Sequence, residues 1–431
     1  MKALRLYPDI GFADCRTIRE VQQSSLREHL VYARTHSPFY RRMLENVAVD
    51  VSEVTLGELS RFPFTEKSDV ERYNEDFCSV PPTEFVDVVL SSGTTGQPTT
   101  MMYTEHDLLR LAYNEEKSFA GCGVTAEDRV LLTCTMDRCF VAGLAYFLGV
   151  RSVGAAAIRN GQSSLEGHAE TIRRLHPSVI VGVPTFLKEL GLFLREKGMD
   201  PRKTEVSKLV CIGEPLRGRD LQLLKVGRDL QEIWGADAFS TYASSETVTT
   251  FCECSAQQGG HLHPDLAIVE IVDENGAVLS AGIVGEVVVT PLSVEGMPLI
   301  RFKTGDISFL MDEPCACGRS SPRLGPILGR KKQMMKIRGT TLYPQAVYSA
   351  LDDMDGVDDY YMVVTSRGDL SDEVTIYAAV NDKRSTADAI QKELQARLRV
   401  RPEVVIAGEE AVRQIVFSPE SRKFVRLIDR R

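Results

Sequence analysis

Four hydroxyls and two glycines fill the six residues Ser91, Ser92, Gly93, Thr94, Thr95 and Gly96, straight after the apolar run FVDVVL. A glycine-rich loop between a strand and a helix can aim several backbone N–H groups at one phosphate, and hydroxyls add donors without bulk. Standing alone, SGTTG reads equally well as a surface turn. The loop lacks the lysine of the G-x-x-x-x-G-K-[ST] pattern, which argues against a mononucleotide P-loop fold. A second group able to do chemistry is Cys252-x-Cys254, His261, His263 and Cys315-x-Cys317. Thiolates with imidazole suit tetrahedral zinc; the competing reading is buried reduced cysteines beside surface histidines. The ten cysteines belong to a chain whose start, MKALRLYPDIGFADC, lacks the long apolar core of a secretion signal. A reducing, cytoplasmic setting is therefore expected, in which clustered cysteines mean metal rather than disulfides.

The elements that must position these residues are legible in outline. A length of 431 residues suits two or three domains of roughly 150 residues each. A net charge of −9 supplies no basic field for nucleic acid, so an anionic ligand must rely on backbone dipoles and a few placed cations. No apolar run approaches the ~20 residues of a membrane span, so no membrane partner is expected. Residues 14–47 have helical spacing until His36-Ser37-Pro38 breaks it. From 85 to about 245, FVDVVL, DRVLLTC, VGAAAI, SVIVGV, KLVCIG and DAFSTY alternate with amphipathic stretches. That alternation predicts βαβ units and a largely parallel sheet. Thr104 and Asp107 have the spacing of a capping box and predict a helix start there. Residues 266–310 read as antiparallel strands, with a tight hairpin at Glu274-Asn275-Gly276. Beyond Gly329 the composition changes to a small α+β module of about 100 residues.

In order and spacing, a series of segments resembles the phenylacetate–CoA ligase family of the adenylate-forming (acyl-CoA synthetase) superfamily. SSGTTGQPT is similar to the phosphate loop, PFTEKSDV (63–70) to its lead-in, and IGEP (212–215) to the adenine-side turn. YASSE (242–246) stands where the family carries Tyr-Gly-x-Ser/Thr-Glu. RFKTGD (301–306), GRKKQMMKIRGTTLYP (329–344) and RKFVRLIDRR (422–431) complete the series. The resemblance implies an α/β fold. Residues 1–329 would form a large N-terminal domain of parallel-rich sheets with an antiparallel β subdomain, its zinc-bearing part at about 250–329. Residues 330–431 would form a small, mobile α+β domain rotating about a hinge near Lys332.

It also implies an AMP-forming acid–thiol ligase. A carboxylate, expected to be aryl, attacks the α-phosphate of ATP, and the thiol of coenzyme A then displaces AMP from the acyl-adenylate. Two other readings stay open: loading of an aryl or amino acid onto a carrier protein, and a degenerate nucleotide-binding protein. Gln97, where the loop usually has lysine, favours the last; Glu246, Asp306 and Lys423 together speak against it. Homodimer formation is left open.

By the same resemblance, Ser92 to Gly96 cradle the β- and γ-phosphates, with Ser91 also in the ATP site, Glu246 holds Mg2+, and Asp306 accepts the ribose hydroxyls with help from Arg330. Gly213, Glu214, Pro215 and Tyr242 frame the adenine, and Thr241 and Ser245 complete the nucleotide site. Lys423 bridges carboxylate and α-phosphate during adenylation. Arg338 and Gly339 would lie along the coenzyme A path. Cys254, His261, Cys315 and Cys317 would hold zinc, with Cys252 and His263 as reserve ligands. Ala243 replaces a family glycine. In the acid-pocket segment TCTMDRCFVAGLAYFLG (133–149), Asp137-Arg138 stands where phenylacetate ligases have Tyr-Gly, followed by Phe140 and Gly143. Charge in an apolar pocket must be paired. Either these two pair together or face solvent, or they select a polar-substituted aryl acid or an amino acid over phenylacetate.

Overall fold

The computed structural model describes residues 4–45, 47–91, 99–337, 340–367, 371–382, 385–416 and 425–431. The chain divides into two compact units, Met1–Ile327 and Leu328–Arg431.

The first unit opens with α1 (Cys15–His36) and α2 (Pro38–Leu44), which break at Ser37 as the sequence predicts. Ser37 caps α2 by accepting from the Tyr40 N–H, and Pro38 takes the first helical position, where a missing N–H costs nothing. Two short helices follow, α3 (Lys67–Arg72) and α4 (Asn74–Phe77). Strands β1 (Phe85–Leu90) and β2 (Thr100–Thr104) pair antiparallel as a separate two-stranded sheet. The strand edge and helix expected after the loop are present as β2 and α5, but FVDVVL, expected in the parallel sheet, stands outside it. The reason lies in the side chains: Val86, Val88 and Leu90 are exposed while Val89 is buried, the half-solvated alternation of an antiparallel strand. The glycine-rich segment therefore connects two strands, and α5 (Glu105–Gly121) begins only after β2, at the predicted Thr104–Asp107 box.

The main sheet has β3 (Arg129–Leu132), β4 (Ala156–Arg159), β5 (Val179–Gly182), β6 (Lys208–Cys211), β7 (Asp237–Ser244) and β8 (Thr249–Cys252) in the order β4-β3-β5-β6-β7-β8. All pairs are parallel except β7–β8. Helices α6 (Val141–Val153), α7 (Leu165–Leu175), α8 (Pro184–Glu196) and α9 (Lys225–Trp234) connect the strands. Successive strand residues feed opposite cores, as a two-residue period requires. Leu131, Ile180 and Leu209 meet Ile172, Leu190 and Trp234 of α7, α8 and α9. Val130, Val179 and Val210 meet Phe119 and Tyr146 of α5 and α6. Helices on both faces explain why β5 is buried along its whole length.

Next come β9 (Gly260–His261), β10 (Ala267–Val272), β11 (Gly285–Pro291), β12 (Phe302–Ser308), β13 (Leu310–Met311) and β14 (Arg323–Leu324). β10, β11 and β12 form an antiparallel series, and β13-β14-β9 a small sheet. Gly276 has the positive φ of +85° expected of the turn. The second arm of that hairpin shrinks to one bridge, Val272 to Val278, because β10 takes β11 as its partner.

In the second unit a four-stranded sheet runs Glu403–Ile406, Ser371–Val380, Val357–Arg367, Leu427–Asp429. Helices Pro344–Asp352, Ala387–Leu398 and Glu409–Val416 accompany it, giving an α+β unit. Arg330 and Lys332 belong to this unit.

Candidate active site

In an open parallel sheet, ligands gather beyond the carboxyl ends of the strands. Here that edge carries Gly213 to Pro215 after β6 and Tyr242 to Glu246 at the end of β7. Glu246 is almost fully buried, with 9% of its surface exposed. Burial would raise its carboxyl, but Lys67 Nζ at 3.2 Å and the Ser244 hydroxyl at 2.7 Å outweigh it. The group is held below the usual carboxylate range, ionised and oriented. Lys67 Nζ also donates to Ser91 Oγ at 3.2 Å. The base of the glycine-rich segment is closed: Ser91 N–H donates to Thr99 C=O at 2.9 Å, and Thr99 N–H to Ser91 Oγ at 3.2 Å. Ser92, Gly93, Thr94, Thr95, Gly96 and Gln97 lie outside the described residues.

The Tyr242 hydroxyl donates to Asp306 Oδ2 at 2.8 Å, and its ring stacks on Phe251. Burial, then the Asp306 charge, pushes the phenol well above its ordinary range, so it stays a donor. Gly305, at φ +75° within β12, precedes Asp306, whose N–H donates to Thr304 Oγ1 at 3.1 Å. Thr241 alternates to the other face and sits with its hydroxyl 3.1 Å from Cys252 Sγ. The Ser245 carbonyl accepts from the Tyr103 hydroxyl at 2.6 Å. Both Glu214 oxygens are engaged at the start of α8, by the Thr185 N–H (3.1 Å) and hydroxyl (2.9 Å). A carboxylate there satisfies a helix N-terminus, so the Glu214 side chain is a cap, and the turn presents backbone, with Gly213 at φ +76°.

Residues 135–140 form a tight turn. Arg138 and Cys139 both adopt positive φ, 60° and 55°. Asp137 and Arg138 are exposed, and Phe140 is half-buried. The Thr135 hydroxyl donates to Asp137 Oδ1, and the Cys139 carbonyl accepts from the Leu90 N–H at 2.8 Å. Gly143 lets α6 close on this turn: a Cβ there would stand 2.1 Å from the Thr135 carbonyl oxygen. Gly143→Ala is expected to cost about 1–3 kcal/mol, read as a lower Tm in thermal unfolding. Gly57→Ala, where a Cβ meets nothing within 4 Å, should leave Tm unchanged.

Away from this edge, Cys254, His261, Cys315 and Cys317 converge, their ligating atoms all within 4.8 Å of one another. Cys254 Sγ to Cys315 Sγ is 3.6 Å and Cys317 Sγ to His261 Nε2 is 3.4 Å. A tetrahedron with Zn–S of about 2.3 Å and Zn–N of about 2.0–2.1 Å has edges of about 3.5–3.8 Å, so the residues present fit zinc. The knuckle is shaped by Gly318 at φ +92°, whose N–H donates to the Cys315 carbonyl at 2.9 Å. Burial, aided by Arg319 and Arg323, pushes His261 down to about 3, keeping its imidazole neutral. Its other nitrogen, Nδ1, faces Ser321 Oγ at 3.4 Å, the outer partner a ligating histidine uses. Burial pushes the Cys254 thiol up to about 12, so a thiolate there calls for a cation. Of the reserve ligands, Cys252 packs against Cys122 Sγ at 3.3 Å instead, and His263 is not among the four.

Lys423, Arg338 and Gly339 lie outside the described residues. Lys67, Ser244, Thr304 and Tyr103 were not singled out by the sequence. Lys67 carried one signal: a cation takes the first position of α3, inside the Glu66–Asp69 capping box, against the helix dipole.

Residues 22–294 match the AMP-binding enzyme family, and residues 339–431 match the AMP-binding enzyme C-terminal domain. The chain is 32% identical to a phenylacetate-coenzyme A ligase of Thermus thermophilus, over 87% of this chain and 84% of that protein. It is 27% identical to one of Pseudomonas putida, over 89% and 86%. Its fold is similar to that of 2-hydroxyisobutyryl-CoA ligase in the postadenylation state in complex with 2-HIB-AMP. That similarity has a TM-score of 0.86 and 22% identity, covering 100% of this chain and 94% of the other.

Proposed function

Because the chain belongs to the AMP-binding enzyme family and is an acid–thiol ligase, we propose that the acid it joins to coenzyme A is a polar-substituted aryl acid. The reaction itself is ATP-dependent activation of a carboxylic acid followed by transfer to the coenzyme A thiol. A carboxylate oxygen attacks the α-phosphorus, and the bond to the bridging oxygen breaks. Pyrophosphate leaves with that electron pair. In the second half the thiolate attacks the acyl carbon and AMP departs. Little covalent work falls to the protein, so positioning and charge neutralisation dominate.

The roles follow on that basis. Ser91 to Gly96 hold phosphates, Asp306 and Tyr242 frame ribose and adenine with the Gly213–Pro215 backbone, and Arg330 assists. Glu246, ionised and aimed by Ser244, would hold Mg2+ together with phosphate oxygens, a hard ion on hard ligands. When bound, the ion neutralises charge on those oxygens. The small unit would turn about Lys332, bringing Lys423 to the first half-reaction and Gly339 to the second. Zinc on the four-ligand set would be structural, since no open position remains.

The observation carrying the substrate reading is the turn at Asp137 to Cys139. Both side chains are exposed; Asp137 accepts from Thr135 within the turn, and Arg138 precedes Phe140 by two residues. A guanidinium favours a hydroxyl or second carboxylate on the acid, with Phe140 as the aromatic wall. The test is kcat/KM for phenylacetate against hydroxylated and dicarboxylic aryl acids, with coenzyme A as acceptor. The substituted acids should lead by about tenfold or more, the worth of one charge-assisted hydrogen bond, and Arg138→Gly should erase that lead. Preference for phenylacetate, unchanged in Arg138→Gly, would put the arginine outside the pocket. Acyl transfer to a carrier protein but not to coenzyme A would replace the acceptor.

A further inference from the structure

The triphosphate of ATP brings about four negative charges to a chain that is already acidic, and each needs a placed donor or cation. The glycine-rich segment SSGTTGQP (91–98) contains no lysine or arginine, so the loop itself brings no cation. One stands at its root. Lys67 Nζ lies 3.2 Å from Ser91 Oγ, the first hydroxyl of the segment, and 3.2 Å from Glu246 Oε1. Its side chain is 24% exposed, enough to meet a ligand from the open side.

The mounting is rigid. Thr65, two residues earlier, bridges to Phe302 of β12. Its N–H donates to the Arg301 carbonyl at 3.2 Å, and its own carbonyl accepts from the Lys303 N–H at 2.9 Å. The Thr65 hydroxyl donates to the Ile300 carbonyl at 2.7 Å and lies 2.8 Å from the buried Tyr40 hydroxyl. Lys67 then opens α3, where the helix dipole disfavours a cation. Local helix preference does not explain a lysine there, whereas a site needing positive charge does.

We infer that Lys67 supplies the cation for the β- and γ-phosphates that the Gln97-bearing loop does not carry. The inference rests on the acid-activating reaction above. With Glu246 serving a divalent ion, the ammonium transfers from that carboxylate to phosphate oxygens while staying within reach of Ser91. No proton moves: the α-phosphorus to oxygen bond breaks, its electron pair leaves on pyrophosphate, and Lys67 neutralises the charge accumulating there. Lysine suits this as a compact point charge with three donors on a flexible stem.

The experiment uses the full chain with ATP, Mg2+ and an acid that wild type turns over, reading pyrophosphate release and, separately, thioester formation from the synthetic acyl-adenylate and coenzyme A. Lys67→Met should lower kcat/KM for ATP in adenylation about 100-fold, as expected for losing one preorganised charge contact. Thioester formation from the adenylate, with no triphosphate present, should keep its wild-type rate. Lys67→Arg, which keeps a cation at this position, should recover about tenfold or more of the loss, a partial return of that contact. A lysine needed only for packing would not distinguish the half-reaction that uses triphosphate from the one that does not. Adenylation by Lys67→Met within threefold of wild type, equal loss of both half-reactions, or no rescue by Lys67→Arg would each overturn the inference. Failure of wild type itself to release pyrophosphate with any acid would overturn the ligase reading instead, so the two failures are distinct.

Discussion

In Lys423→Ala, acyl-adenylate formation is expected to fall by about two orders of magnitude or more, the range for removing one preorganised charge contact in a transition state. Conversion of synthetic acyl-adenylate to thioester should proceed largely as in wild type. The asymmetry is the informative part. If Lys423 bridges the attacking carboxylate and the α-phosphate, it acts only while the phosphorus is being transferred. The flanking chain is firmly held. Val425 N–H donates to the Val416 carbonyl at 2.9 Å, and Arg426 Nη1 donates to the Tyr360 hydroxyl at 2.7 Å and to Asp352 Oδ1 at 3.2 Å. Removing the Lys423 amine should therefore leave the small unit folded, with Tm near wild type. Pyrophosphate release under single-turnover conditions, against thioester formation from added adenylate, separates the steps. Equal loss in both would sink the role.

The second large effect concerns the Cys254, His261, Cys315 and Cys317 cluster. Purified protein should hold about one zinc per chain, as a single four-ligand set dictates, and Cys315→Ser should hold none. A ligand bound at 1,000 times its dissociation constant adds about 4 kcal/mol. Its loss should lower Tm by roughly 5–10 °C in a domain of this size. The damage should be local at first. The cluster ties the Cys315–Arg319 knuckle to β9, where His261 pairs in register with Arg323 of β14, and none of its ligands is among the residues proposed to frame the nucleotide. Calorimetry should show the early loss of stability while ATP affinity is retained. Elemental analysis finding no zinc in wild type prepared without chelators, or full zinc in Cys315→Ser, would overturn the assignment.

How far the site could be read in advance depended on how local each feature is. Gly276 occupies a turn at a positive φ that glycine takes without strain, and the Asn-Gly motif announced it. The Thr104–Asp107 box marked the start of α5 because a cap is made within four residues. Glu214 was read as an adenine-side residue, yet its carboxylate closes on Thr185 at the head of α8, a pairing across two βα units that no local motif announces.

By itself, then, the sequence determined the features made within one element or one turn. These are the doubly buried runs of β5 and β6, the break at Ser37, the Cys-x-Cys-Gly knuckle and the change of composition near 329. Periodicity, caps and turn chemistry act over a few residues and leave their mark there. The tertiary structure alone decided what stands beside what. The order β4-β3-β5-β6-β7-β8 sets which strand ends share an edge. The antiparallel β1–β2 pairing set FVDVVL apart from the parallel sheet. Thr65 bridging to β12 brought Lys67 to Glu246 and Ser91. The physical reason is that such pairings are selected by burial and hydrogen-bond closure over the whole domain. Those terms belong to no single segment, so no single segment can announce them.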